Sequence, residues 1–120
     1  MKLYHRDIGF PPGLMTRLSG QSHVLHYGPH ARQACLNDKY GAIMRPPKTV
    51  TFGDNVFEAE TDESGVPVKV TVREHYDAVY DIILVVGGVS GPNLVRTCWL
   101  NKKADPHLTL DKTKYCAILK

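Results

Sequence analysis

From Val66 to His75 apolar and polar side chains alternate, with Val68, Val70 and Val72 pointing one way and Lys69, Thr71, Arg73 and His75 the other. This two-residue period predicts a strand with one covered face. Tyr80 to Val86 is almost wholly apolar and predicts a central strand covered on both faces. Leu94 to Asn101 predicts the last strand. Thr49 to Phe52 and Val56 to Glu60 predict two more, and the Gly53-Asp54-Asn55 between them reads as a bend or hairpin turn. Upstream, Gly28-Pro29 suits a helix start, because proline at the first helical position gives up no useful hydrogen bond. The run from His30 to Leu36 has no breaker, so a helix is expected from about Pro29 to Lys39. Gly41 is placed to end it, and Pro46-Pro47 bars any continuation. Ala31, Ala34 and Cys35 give the helix a narrow face of small side chains that a sheet can approach.

Residues 1–23 read as an irregular lead-in: Pro11-Pro12 is extended or turned, and Leu14 to Leu18 has room for one helical turn. Ser22 to Tyr27 reads as a short strand or an extended approach. Residues 102–120 read as a polar, basic tail. The expected fold class is α+β: an N-terminal helix packed on an antiparallel sheet of about four strands, in a single domain covering 1–120.

Composition supports a folded core and narrows the setting. The chain has 120 residues, 42% apolar and 22% charged, which suits one globular domain. No apolar run approaches the roughly 20 residues that cross a bilayer, and the N-terminus lacks the apolar stretch of a signal peptide. A cytoplasmic protein with no membrane partner is expected. Three cysteines, Cys35, Cys98 and Cys116, make an odd number without a paired-thiol motif, which argues against a disulfide framework or a cysteine zinc site. Cys35 and Cys98 lie among apolar neighbours and read as small buried hydrophobes. The formal charge of +3 does not by itself indicate a nucleic-acid binder. Its distribution is uneven, with Lys102, Lys103, Lys112, Lys114 and Lys120 towards the C-terminus and Glu58, Glu60, Asp62 and Glu63 around one turn.

Candidate chemistry gathers on the polar face of the long strand. The last strand presents either Val95, Thr97, Trp99 and Asn101 or Leu94, Arg96, Cys98 and Leu100 to that face. Both choices set polar or cationic groups beside Arg73, forming a groove of cations, hydroxyls and an aromatic plane, or simply a solvated sheet face. Among six histidines, His23, His26 and His30 fall close together. Gly28-Pro29 separates His26 from His30, so they do not share a helix face as a helical zinc motif requires. No metal or cofactor is expected. A histidine at a helix start suits proton exchange near neutral pH, and equally an ordinary surface position. Gly87 to Gly91 has the glycines of a phosphate cradle without its Gly-Lys-Ser/Thr ending, and reads as a hairpin loop.

The segment Leu25-His26-Tyr27-Gly28-Pro29-His30-Ala31-Arg32-Gln33-Ala34 resembles the tyrosine-X-X-histidine-alanine-arginine opening of small toxin-like domains. These belong to the barnase, EndoU, colicin and RelE superfamily of metal-independent ribonucleases. The order of the later segments, from Pro46-Pro47-Lys48-Thr49-Val50 to Val95–Asn101, is also similar, over roughly residues 24–101. The chain departs from the family in its longer N-terminus and its basic tail.

The resemblance implies one or two helices on a four-stranded antiparallel sheet, with RNA held on the opposite, concave face. It matches His30 to the family's helix histidine, Arg73 to its strand cation, and Thr97 or Asn101 to its last-strand polar residue. The implied activity is a metal-independent endoribonuclease of toxin or phage type, in which a ribose 2′-hydroxyl attacks the neighbouring phosphorus. His30 or His75 would act as base, and the other histidine or Tyr76 as acid. Arg73 and Lys69 would stabilise the phosphate, while Trp99 or Tyr27 would stack a base, although Trp99 fits a core role as well. RNA is the expected partner, with an antitoxin or another protein as the second class. The alternative is a non-catalytic domain that binds RNA or protein through the same face. The nuclease reading in this form needs His30, Arg73 and Thr97 in one pocket, with Arg73 outside any structural ion pair.

Overall fold

The computed structural model describes residues 1–88 and 93–105. Its elements, in chain order, are β1 (Lys2–His5), α1 (Leu14–Leu18), β2 (Ser22–Tyr27), α2 (Pro29–Leu36), β3 (Thr49–Thr51), β4 (Val56–Thr61), β5 (Pro67–His75), β6 (Tyr80–Gly87) and β7 (Asn93–Lys102). The seven strands form one sheet in the order β1-β4-β5-β6-β7-β2-β3. Every neighbouring pair is antiparallel except β2 and β7, which run parallel where Leu25–Tyr27 meets Asn93–Val95. This overturns the expected four-stranded antiparallel sheet under a helix. The sheet is mixed, it has seven strands, and its helices are only five and eight residues long.

Alternation in β5 does place Val70 and Val72 inward and Lys69, Arg73 and His75 outward, and β6 pairs with it in register from Lys69↔Gly87 to His75↔Asp81. The Gly53-Asp54-Asn55 segment is not a hairpin turn. β3 pairs with β2, whereas β4 pairs with β1 and β5, so the short link carries the chain from one margin of the sheet towards the other. Asn55 holds that crossing. Its Nδ2 donates to Thr51 O (3.0 Å) and Glu74 Oε1 (2.8 Å), and its backbone oxygen accepts from Arg73 N (2.9 Å). The end of β3 is thereby tied to β5, which requires the sheet to curl. Register shifts in the β4–β5 and β6–β7 pairs supply extra local bending.

The inner side of the curl carries the core. Leu25, Val50, Phe52, Val56, Val70, Val72, Ile82, Leu84, Val86 and Leu100 form one cluster with Leu14 and Leu18 of α1. The cation-bearing side is therefore the outer face, not the concave one that the family resemblance implied. Residues 1–23 are also more regular than expected, since β1 pairs with β4 from Lys2↔Thr61 to His5↔Glu58 and α1 seals the core.

The expected helix is present but ends at Leu36, with Asn37 N donating to Gln33 O (3.0 Å). Gly41 lies in the following turn, where its N–H bonds Asp38 O (3.0 Å). Beyond Val95, β7 has no ladder with β2, and α2 packs beside it instead. Ala31 and Cys35 meet Cys98, and Asp38 Oδ1 accepts the Leu100 N–H (3.0 Å), so helix and carboxylate cover a strand edge that would otherwise be open. The same packing sets His30, near the start of α2, beside the outer face of β7. Lys112, Lys114 and Lys120 of the expected basic tail lie outside the described residues. Among the described residues no helix is long and apolar enough to cross a membrane.

Candidate functional site

On the outer face, pairing of β5, β6 and β7 sets side chains in rows. His75, Asp81 and Asn101 share one row, and Arg73, Ile83 and Trp99 the next. Thr71, Val85 and Thr97 follow, and Lys69, Gly87 and Leu94 make the last. Successive rows are two residues apart along a strand, about 7 Å, so Arg73 and Lys69 stand about 13 Å apart along β5. That spacing divides the predicted residues into two groups.

The first group is a closed polar network. Arg73 Nε donates to Asp81 Oδ2 (2.7 Å), Nη1 to Asp105 O (3.0 Å) and Nη2 to Lys102 O (3.0 Å). Lys103 Nζ donates to Asp81 Oδ1 (2.5 Å) and lies 2.9 Å from His75 Nδ1. Asn101 is buried and donates to Lys102 O (3.2 Å) and Asp105 O (3.0 Å). Burial pushes the Asp81 carboxyl up, but the hydrogen bonds and charges of Lys103 and Arg73 outweigh it and hold the group below its ordinary value. Arg73 is thus in a structural ion pair, and the condition placed on it is not met. Its guanidinium fastens the end of β7 to β5 and β6. Tyr76 is half-buried and packs against the core cluster, outside the pocket that holds His30. Tyr27 does the same, its hydroxyl donating to Pro47 O (2.5 Å) and raised by burial well above its ordinary value.

The second group opens onto solvent. A cavity of about 780 Å³ is bounded by His30 at the start of α2, Glu60 of β4, Lys69 of β5 and Arg96 and Thr97 of β7, with Val85, Gly87 and Leu94 in its wall. Lys69 Nζ lies 3.0 Å from Glu60 Oε2. Arg96 crosses directly over Gly87: a Cβ there would sit 2.5 Å from the arginine Nε, so only glycine leaves room for this path. Among the described residues neither the Arg96 nor the His30 side chain has a hydrogen bond or ion pair, and both residues are exposed. A neighbouring cleft of about 560 Å³ shares His30 and Thr97 and adds Gln33, Lys39 and Trp99. Trp99 is half-buried, faces outward and lies outside the core cluster, which leaves its ring beside the pocket.

The structure therefore brings together His30, Thr97 and Lys69, with Trp99 adjoining, and sets Arg73, His75, Tyr76 and Asn101 apart. Two members of the pocket were given no site role from the sequence, although Arg96 stood on one of the two alternative faces of the last strand. Glu60 is recognisable only once its register opposite Lys69 is known. Arg96 is hidden by an extra residue in β7, because Val85 pairs with Thr97 while Val86 pairs with Val95. Strict alternation would group Arg96 with Cys98 and Leu100, which face inward; the bulge releases it outward.

The pocket combines an imidazole, a carboxylate, an ammonium, a guanidinium and a hydroxyl. The first two can exchange protons, the cations can hold a phosphate, and the hydroxyl can donate a hydrogen bond. Among the described residues no group of three or more histidine, cysteine, aspartate or glutamate side chains could hold a metal ion. No family model, curated protein or solved structure matches the chain.

Proposed function

We propose that the chain is a metal-independent endoribonuclease whose site is the pocket at the start of α2. One observation carries the reading: His30, Glu60, Lys69, Arg96 and Thr97, drawn from four separate elements, line a single open cavity. The resemblance of the Tyr27–Arg32 segment to the opening of toxin-type ribonucleases supports it independently of the pocket. Arg96 takes the phosphate-holding role first assigned to Arg73, because among the described residues its side chain has no hydrogen-bonded partner, whereas Arg73 is fully engaged.

Glu60 accepts the proton of the ribose 2′-hydroxyl as its oxygen attacks phosphorus. The bond from phosphorus to the 5′-oxygen breaks, and protonated His30 delivers a proton to that leaving oxygen. The products are a 2′,3′-cyclic phosphate and a 5′-hydroxyl end. Arg96 and Lys69 balance the charge that builds on the non-bridging oxygens, with Thr97 as a further donor. Trp99, beside the pocket, offers a plane for an unpaired base.

Incubating the full chain with mixed-sequence single-stranded RNA and a chelator tests the proposal. Cyclic-phosphate ends should accumulate, and His30→Ala or Glu60→Gln should each slow the reaction by roughly 10²–10⁴-fold. Intact RNA under all conditions refutes cleavage. If that RNA is nevertheless bound, with an affinity that falls with salt and is lost in Arg96→Ala, the chain is a non-catalytic RNA-binding domain.

A further inference from the structure

We propose that Cys35 and Cys98 close a disulfide that fastens α2 to β7. The two residues lie 63 positions apart in the chain, yet their Sγ atoms are 2.8 Å apart in the interior. A disulfide needs an S–S separation of about 2.05 Å, so closure takes less than an ångström of side-chain movement. The backbones that carry the thiols are already fixed. Cys35 O accepts from Ile43 N (2.8 Å), and Cys98 sits opposite Leu84 in the β6–β7 ladder. The thiols belong to no metal site among the described residues and take no part in the proposed cleavage. Cys98 lines the neighbouring cleft together with His30 and Thr97, and Cys35 is on the same short helix as His30.

The bond requires an oxidant, and a small-molecule disulfide such as glutathione disulfide supplies it. One cysteine thiolate attacks a glutathione sulfur, forming a mixed disulfide and expelling one glutathione. The second cysteine then attacks the protein sulfur of that intermediate and expels the other. Two protons and two electrons pass from the protein thiols to the two glutathione molecules. Burial, and then the hydrogen bond with Cys35, push the Cys98 thiol up, which makes attack slow once α2 is docked. Closure is accordingly fastest during folding, before the helix covers the strand.

The test refolds the reduced full chain from urea in buffers spanning reduced to oxidised glutathione. Remaining thiols are then blocked with N-ethylmaleimide, and intact mass and peptides are measured. The expected result is a loss of two hydrogens, a single cross-linked peptide joining positions 35 and 98, and a urea midpoint higher than that of the reduced chain. Cys116→Ser should retain the cross-link and the shifted midpoint, and Cys35→Ser should lose both. Three blocked thiols at every glutathione ratio would overturn the proposal. So would a cross-link to position 116 alone, or glutathione left on either buried cysteine.

Discussion

A guanidinium carries five N–H donors in one rigid plane, and the number already engaged decides what the side chain can still do. Arg73 uses all three nitrogens on Asp81, Lys102 and Asp105, whereas Arg96 has no hydrogen-bonded partner among the described residues. Both are outward-facing cations on a sheet, and composition treats them alike. Asp81 is the hinge of the first arrangement because it receives Arg73 on one oxygen and Lys103 on the other. Its carboxyl is held below its ordinary value, so its stabilising contribution is fully present above the unfolded carboxyl value and is lost as pH falls through the lower folded one. Asp81→Asn should cost about 1–3 kcal/mol near neutral pH. The gap between variant and wild type should narrow on acidification, as followed by urea unfolding at a series of pH values. A gap that stayed constant into the acid range would show that Asp81 does not act through its charge.

At the scale of elements, the bulge in β7 has the largest effect on the site. One extra residue between the Val86↔Val95 and Val85↔Thr97 pairs lets Arg96 and Thr97 reach the pocket while Val95 and Cys98 stay in the core. Gly87 completes the arrangement by giving the Arg96 side chain a path across β6. Gly87→Ala should therefore displace the guanidinium without removing its charge. The expected outcome is a roughly tenfold weaker affinity for single-stranded RNA, with a change in stability of under about 1 kcal/mol. Unchanged affinity would remove Arg96 from the binding surface. The elements themselves were partly legible in the sequence. Period-two alternation revealed β5, the apolar run revealed β6, and Gly28-Pro29 marked the start of α2. Periodicity reports which residues share a face only while the ladder is regular, and for that reason it offered Arg96 and Thr97 as alternatives rather than together. It also says nothing about partners: Thr49–Thr51 and Val56–Thr61 resemble the arms of a hairpin, yet they pair with different strands.

For the molecule as a whole, curling of the sheet separates the core from the face that carries the candidate site. The inner side gathers one large apolar cluster, and the outer side carries the ion pairs and the open pocket around the buried Ile83 and the half-buried Trp99. His30 and Thr97 were identifiable as candidates through the family resemblance, and Lys69 through its place on the polar face of β5. Their convergence was not, since it depends on the parallel contact of β2 with β7 and on α2 lying beside β7, both products of long-range pairing. The meeting of Cys35 and Cys98 is hidden in the same way, because a separation of 63 positions gives no local signal.

The parallel pairing of β2 with β7 also fixes an order of events during synthesis. Leu25 emerges from the ribosome long before Asn93, the residue it registers with, so that edge of β2 must wait for β7 to be made before it is paired. A fragment covering residues 1–88 should then show no cooperative urea transition, while the full chain shows one. Until β7 arrives, the edges of β2 and β6 that it joins both lack their partner, and that exposure follows from a single strand.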